Sequence, residues 1–397
     1  MVDIKHLEDC CGCTACANIC PHGAIEMKPD ALGFKYPKVD KLKCTECGLC
    51  EKVCAFNDNY DTALNIKPLV FGARHKNIDE VMASRSGGAF VAISDYVLNH
   101  GGVVYGAGYD ENFRVVHKRA VNKQQRDEFR GSKYVQSDLD GIFRQVRDDL
   151  RDGLIVLFTG TPCQTSGLNS FIGSKLRKNL ILVDIICHGV PGPYIWRDYL
   201  VYLERKRGKK IVNVNFRDKK RYGWSAHVES VLYEGDTSYT SYTSYTSTFY
   251  QHIMFRESCY NCKFCNTIRP SDITLADFWG WQKSNPKFNA DDKGANLILV
   301  NTENGRNIWC IVKENMNTFE VELENCLQPN LKKPSFKNEK YDSFVSDYQH
   351  NGIEYVLKWY SPSLLSKFKT LLILCLGGKI INSIRNCKWK LASLLNM

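Results

Sequence analysis

CCGCTACANICP (residues 10–21) and KLKCTECGLCEKVCAF (residues 41–56) repeat one spacing. Cys10, Cys13, Cys16 and Cys20 read Cys-x2-Cys-x2-Cys-x3-Cys ahead of Pro21, and Cys44, Cys47, Cys50 and Cys54 read the same ahead of Ala55. Three thiolates at this interval wrap one face of a cubane iron–sulfur cluster, and the fourth is carried by the next turn to the other cluster. The runs therefore predict two 4Fe–4S clusters, one on Cys10, Cys13, Cys16 and Cys54, the other on Cys44, Cys47, Cys50 and Cys20. Zinc takes two Cys-x2-Cys pairs rather than a run of three with a distant fourth, and a disulfide knot does not need the spacing at all. Cys11 reads as a spare thiol beside these ligands.

Working outward, residues 1–58 read as a small ferredoxin-type unit of short strands and two helical turns, with Pro21 and Pro37 marking turns. Its apolar content is too small for a conventional core, so the clusters should supply much of its folding free energy. The start MVDIKHLEDC has no apolar run, which predicts no signal peptide. With 18 cysteines in such a chain, the expectation is metal or redox work in a reducing cytoplasm. The 397 residues allow one large domain beside the small one. The formal net charge of +10 counts every cysteine as neutral. Three oxidised clusters at about −2 each leave roughly +4. The basic residues are also spread along the chain, which argues against nucleic-acid binding.

NDNYDTALNIKP (57–68) is polar and reads as a linker. Beyond it, strands alternate with helices: PLVFGAR a strand, SRSGGAFVAISDYVLNHGG a turn and apolar helix, VVYGAGYD with FRVVHKRA a strand pair, and LIVLFTGTPCQ a buried strand feeding a tight turn. LILVDIICHG is a second fully apolar strand, of the type covered on both faces, and PYIWRDYLVYLERKRG a helix with a charged outer side. The fold class expected is α+β: a ferredoxin-like two-cluster domain at 1–58, a larger α/β flavin-binding core at 69–330, and a helical, basic C-terminal region at 331–397. The SYTSYTSYTS repeat (238–247) suits an extended segment or a mobile loop. The tail from Ser363 mixes leucines with lysines and is too short to span a bilayer. It suits either peripheral contact with a membrane surface or docking on its own domain or a partner.

Four further cysteines stand in turn contexts: Cys163 in GTPCQ, Cys187 in CHG, and the pair Cys259 and Cys262 in SCYNCKF. Two follow apolar strands, at the carboxyl ends where α/β sheets carry ligands. Four thiols of this kind suit a third 4Fe–4S cluster or zinc, with Cys265 an alternative on the same loop. SRSGGAF, GGVVYGAGYD, RGSKYVQS, FTGTPCQTSGL, DIICHGVPGPYIW, NFRDKKRYGW, SCYNCKF and RPSDITLADFWG then appear in series over roughly residues 70–285. This series resembles the family of coenzyme F420 hydrogenase and dehydrogenase beta subunits, here with an N-terminal ferredoxin domain. The resemblance implies FAD beside a 4Fe–4S cluster, and so favours iron–sulfur over zinc for Cys163, Cys187, Cys259 and Cys262. It places the flavin on Ser86, Gly87 and Gly88 and on Ser132, Lys133, Tyr134 and Gln136. A Ser-Gly-Gly turn exposes backbone N–H groups to a pyrophosphate, and Lys133 can offset phosphate charge or polarise the ring.

The function expected is an FAD- and iron–sulfur-dependent oxidoreductase that converts between a two-electron substrate and one-electron carriers. His188 is a candidate catalytic proton donor or a structural histidine. Arg217, Lys219 and Arg269 could bind an acidic substrate or pair with Asp218 and Asp272. Ferredoxin or another redox protein is the expected partner, with a deazaflavin or an acidic small molecule as substrate. The alternative is a non-catalytic electron-transfer subunit of a larger complex.

Overall fold

The computed structural model describes residues 2, 4, 6–56 and 65–360. The small N-terminal unit has helical turns at Ala15–Ile19 and Leu49–Lys52 and a hairpin of β1 (Ile25–Pro29) and β2 (Lys35–Val39). Asp30 Oδ1 accepts from the Leu32 and Phe34 N–H groups and Gly33 adopts φ +87°, which closes the hairpin turn. Pro37 lies inside β2 opposite Met27 rather than in a turn; a two-stranded sheet is all edge, where a missing N–H is tolerated.

The larger unit is an eight-stranded mixed sheet. Its strands are β3 (Asn65–His75), β4 (Val103–Tyr109), β5 (Val115–Ala120), β6 (Val156–Gly160), β7 (Leu180–Ile185), β11 (Ile273–Asp277), β12 (Asn296–Thr302) and β13 (Met316–Glu320). The numbers between belong to a separate three-stranded sheet of β8 (Ile211–Asn215), β9 (Glu229–Tyr233) and β10 (Thr240–Tyr242). The large sheet runs β13-β3-β12-β11-β7-β6-β4-β5. Its centre, β4, β6, β7 and β11, is parallel, and the flanking pairs are antiparallel. β3 starts at Asn65, so the last four residues of the expected linker are strand; residues 57–64 lie outside the described residues. Pro68 sits where the β3–β12 register breaks between Thr302 and Val300, a place that needs no ladder N–H.

The apolar strands are buried on both faces for a visible reason. Val103, Tyr105, Val156, Phe158, Leu180 and Leu182 pack against helices Ile142–Arg151 and Pro162–Ile172. Their neighbours Val104, Leu157, Ile181 and Val183 face the other way, towards helices Ala89–Asn99 and Glu303–Val312. Continuous hydrophobic runs are what a parallel sheet covered on both sides requires. The N-terminal unit joins the first of these layers: Cys11, Cys13, Ala15 and Val53 share its core. Gly192 leaves room for the Leu32 carbonyl, which an added Cβ would meet at 2.5 Å, and Gly33 does the same for the Tyr194 ring.

The SYT repeat is neither a loop nor one extended run. It enters β10 and then turns into the helix Ser244–Phe249. Buried Glu229 explains the change, since its carboxylate takes the Tyr245 and Thr246 N–H groups at 3.1 and 2.8 Å and so fixes the helix start. Helix Tyr341–Trp359 packs on Pro193–Arg207, with Gly352 breaking its helical backbone. The basic tail, 361–397, lies outside the described residues. Among the described residues no helix is long and apolar enough to cross a membrane.

Candidate functional site: three thiol groups and a cavity

The two cysteine runs share a backbone as well as a spacing. Gly12 and Thr14 in the first, and Glu46 and Gly48 in the second, all have positive φ, at 71°, 67°, 54° and 75°. That repeated left-handed pattern curls each loop and turns its N–H groups inward. The Glu46 N–H lies 3.4 Å from Cys44 Sγ, the Ala24 N–H 3.3 Å from Cys20 Sγ, and the Val2 N–H 3.1 Å from Cys50 Sγ.

Three groups of thiols result. Burial pushes the Cys16 thiol up, and neighbouring Cys13, Cys10 and Cys54 push it further, so these four stand together. Cys20, Cys44, Cys47 and Cys50 line one small cavity. Burial also pushes Cys187 well up, with Cys259, Cys163 and Cys262 adding to it. The fourth cysteine of each N-terminal run has thus crossed to the other run. Cys265 is hydrogen-bonded to Cys262. Cys11 is buried, with its thiol hydrogen-bonded to both Cys13 and Cys163. It therefore bridges the first and third groups rather than standing apart. Four cysteines per group is the donor set of a 4Fe–4S cubane. Among the described residues no three His, Cys, Asp or Glu side chains converge closely enough to hold a single metal ion.

Above the third group opens a cavity of about 410 Å³, within the range of small-molecule sites. It lies at the carboxyl ends of the parallel strands: Ala107 of β4, Thr159 to Thr161 after β6, Ile185 to Val190 after β7, and Ala276 and Asp277 of β11. This is where an open α/β sheet binds ligands, because the loops diverge there. Cys187 belongs to this wall and to the third thiol group alike.

Ser86, Gly88, Ser132, Lys133, Tyr134 and His188 all line the cavity, whereas Gly87 and Gln136 do not. Gly87 packs on the sheet, where a Cβ would lie 2.5 Å from the Ala73 carbonyl. Gln136 points the other way along its segment: it donates to the Cys11 carbonyl at 2.9 Å and accepts from Arg256. The Ser86 hydroxyl is spent on the Ala295 carbonyl at 2.5 Å. Burial holds Lys133 down at about 7, with its ammonium 3.1 Å from the Arg130 carbonyl and 5.3 Å from the centre of the Tyr109 ring. Burial lowers His188 too, so at neutral pH its imidazole is uncharged and ready to accept rather than give a proton.

Of the three candidate substrate cations, only Arg217 lines the cavity, and it is paired with Asp277 at 2.5 Å rather than with Asp218. Arg269 pairs with Asp184 at 2.9 Å, while Asp272 takes Arg177. Lys219 donates inward to the Val81 and Ser86 carbonyls. Two cavity residues went unread in the sequence. Arg85 is nine-tenths buried, and its Nε and Nη1 have no hydrogen-bond partner. His117 gives Nε2 to the Thr159 carbonyl and leaves Nδ1 without a partner. The SYT helix also contributes: Tyr245 donates to the Tyr134 carbonyl at 2.9 Å, and Phe249 stacks on the Tyr134 ring at 4.4 Å. Phe249, Tyr250 and Trp279 form an aromatic wall. An aromatic wall, an unsatisfied guanidinium and a free imidazole acceptor fit a flat aromatic ligand that carries an anionic group.

The fold and thiols define an iron–sulfur protein in which a ferredoxin-like unit is fused to a mixed α/β core. Residues 9–57 match the 4Fe-4S dicluster domain, and residues 154–324 match the family described as the C terminus of the coenzyme F420 hydrogenase/dehydrogenase beta subunit. The chain belongs to the family of coenzyme F420 hydrogenase/dehydrogenase beta subunits, with an N-terminal 4Fe–4S dicluster domain. It is 23% identical over 331 residues to the F subunit of F(420)H(2) dehydrogenase of Methanosarcina mazei, covering 80% of this chain and 86% of that protein. An uncharacterised polyferredoxin-like protein of Methanocaldococcus jannaschii is 34% identical over 80 residues, 18% of this chain and 48% of its own. Among solved structures, a chain of the F420-reducing [NiFe] hydrogenase complex of Methanosarcina barkeri is similar at TM-score 0.43 and 15% identity, covering 71% of this chain and 99% of its own.

Proposed function

We propose that this protein passes electrons between 4Fe–4S centres and FAD, coupling one-electron carriers to the two-electron conversion of a substrate or deazaflavin. In this reading residues 1–58 hold two centres, 69–330 hold the third centre and the flavin, and 331–397 form a helical docking region. The observation that carries it is Cys187, which borders the cavity and the third thiol group at once. A flavin in that cavity would exchange electrons in pairs with a substrate and singly with the adjoining centre. Arg85 would hold an anionic group of the ligand, and the aromatic wall would exclude water. His188, neutral beside Cys187, would accept the substrate's proton. The relative from Methanosarcina mazei is named as one subunit of a dehydrogenase, which favours a second form of the same reading, in which the chain turns over only inside a larger complex.

The test is anaerobic purification with iron, sulfide and flavin counted, then a screen of deazaflavin, nicotinamide and ferredoxin as reductants. About twelve iron atoms per chain and bound FAD support the proposal. A colourless protein ends it, and a loaded protein that no reductant bleaches favours the subunit reading.

Lys133 makes the cavity's affinity depend on pH. Below about 7 its ammonium is protonated in the empty cavity, and an anion bound nearby raises its pKa. Affinity of the flavin-stripped protein for FAD should therefore be greatest and flat below pH 7 and fall as pH rises above it. Fluorescence titration of Lys133→Met should show no such slope. Arg85→Ala should instead lose affinity ~10- to 100-fold across the whole range, as expected for hydrogen bonds to a charged group.

A further inference from the structure

Arg256 precedes the Cys259–Cys262 loop and is 1% exposed. It reaches out of the core into the first cysteine run. Nε donates to the Cys10 carbonyl at 2.7 Å, Nη2 to the Lys35 carbonyl at 2.9 Å, and Nη1 to Gln136 Oε1 at 3.1 Å. Nη2 also lies 3.6 Å from Cys10 Sγ, and the guanidinium stands 4.1 Å from the centre of the Tyr36 ring. No carboxylate pairs with it among the described residues. Its acidic neighbours are Cys10, Tyr36, Cys11 and Cys259.

A buried cation without a counter-charge is strongly unfavourable. The charge that answers it is the one the first loop would carry, a cubane of about −2 when oxidised and about −3 when reduced. We propose that Arg256 is the counter-ion of the inner centre on Cys10, Cys13, Cys16 and Cys54, and that it raises that centre's reduction potential. This rests on the ligand sets proposed above. Burial alone disfavours adding an electron to an anionic centre, because little water remains to solvate it. A fixed guanidinium with an N–H on a ligating sulfur offsets that penalty more in the reduced form than in the oxidised one. The outer centre has no need of such a device. Its Cys47 is exposed, and the hydrogen bonds its sulfurs accept come from backbone N–H groups. Arg256 thereby keeps the dry inner centre reducible from the wet outer one.

Gly12 is part of the same arrangement. A Cβ there would lie 2.7 Å from Arg256 Nη1, at φ +71°. Gly12→Ala therefore displaces the guanidinium without removing it.

EPR-monitored redox titration of the anaerobically purified full chain tests this, with iron and sulfide counted on the same samples. In Arg256→Gln one midpoint should move to more negative potential while the other two stay, with iron unchanged. Arg256→Lys, which keeps the charge and loses the fork, should restore part of the shift. Gly12→Ala should move the same midpoint in the same direction. Full iron with every midpoint unmoved in Arg256→Gln overturns the inference and leaves the proposed function standing; a wild-type protein without cluster iron overturns both. Where Arg256→Gln does not retain iron, Gly12→Ala decides, and an unmoved midpoint there overturns the inference.

Discussion

Cys187→Ala should leave the protein with about eight iron atoms per chain in place of about twelve, the two N-terminal centres intact and FAD still bound. The side chain stands among Cys163, Cys259 and Cys262, but its backbone follows β7 and depends on the sheet, not on the metal. Removing one thiol takes a cubane to three cysteines, and the exposed iron is then lost to oxidation. The N-terminal unit is held by its own contacts, such as the Lys35–Asp138 ion pair at 2.6 Å and Arg144 on the Asn18 carbonyl at 2.9 Å. Iron and sulfide analysis beside the flavin spectrum reads the result. Rapid mixing with a one-electron donor adds a functional readout, since flavin reduction should slow even though flavin is present. Retention of all iron would show that Cys187 is not a ligand.

The second large effect is expected at Asp184. Its carboxylate and the Arg269 guanidinium are 0% and 1% exposed and 2.9 Å apart. Burial pushes Asp184 up and Arg269 pulls it back. Arg269 also donates to the Phe264 carbonyl at 2.6 Å, so the pair ties the Cys259–Cys262 loop to the end of β7. Asp184→Ala leaves the guanidinium buried without its partner, which costs ~3–5 kcal/mol. The loop bearing two thiols then loses its anchor beside Cys187. Chemical denaturation should show the destabilisation, and the third centre's iron should be lost with it. Asp184→Asn, which keeps the shape and one acceptor, should lose less stability. If Asp184→Ala unfolds at the wild-type midpoint with all its iron, the pair does not anchor the loop.

What the sequence made legible follows from how local each signal is. The paired N-terminal runs could be read from spacing, because three ligands of each group lie within seven residues of one another. Parallel strands could be read from unbroken apolar runs such as Leu180–Val183, because both faces are covered. The third thiol group is spread over 100 residues, and only the sheet topology unites it. Gln136 was misplaced because it lies four residues from Ser132 in a shared motif, yet its side chain leaves on the opposite side of the segment. Arg85 and Arg256 carry no periodicity and no motif of their own. Their importance is visible only as burial without a carboxylate in hydrogen-bond contact. The SYT repeat looked formless because its composition is low in complexity, and its order comes from a single acceptor, Glu229, outside the repeat.

The exchange of the fourth cysteine between the two N-terminal runs has a consequence for biogenesis. Cys20 sits with the later run and Cys54 with the earlier one, so the two sites are interlaced. A nascent chain emerging from the ribosome cannot finish either site until residue 54 is out, however early residue 10 appears. Delivery of iron and sulfide to this unit should therefore be concerted, with no stable species that carries a single cubane.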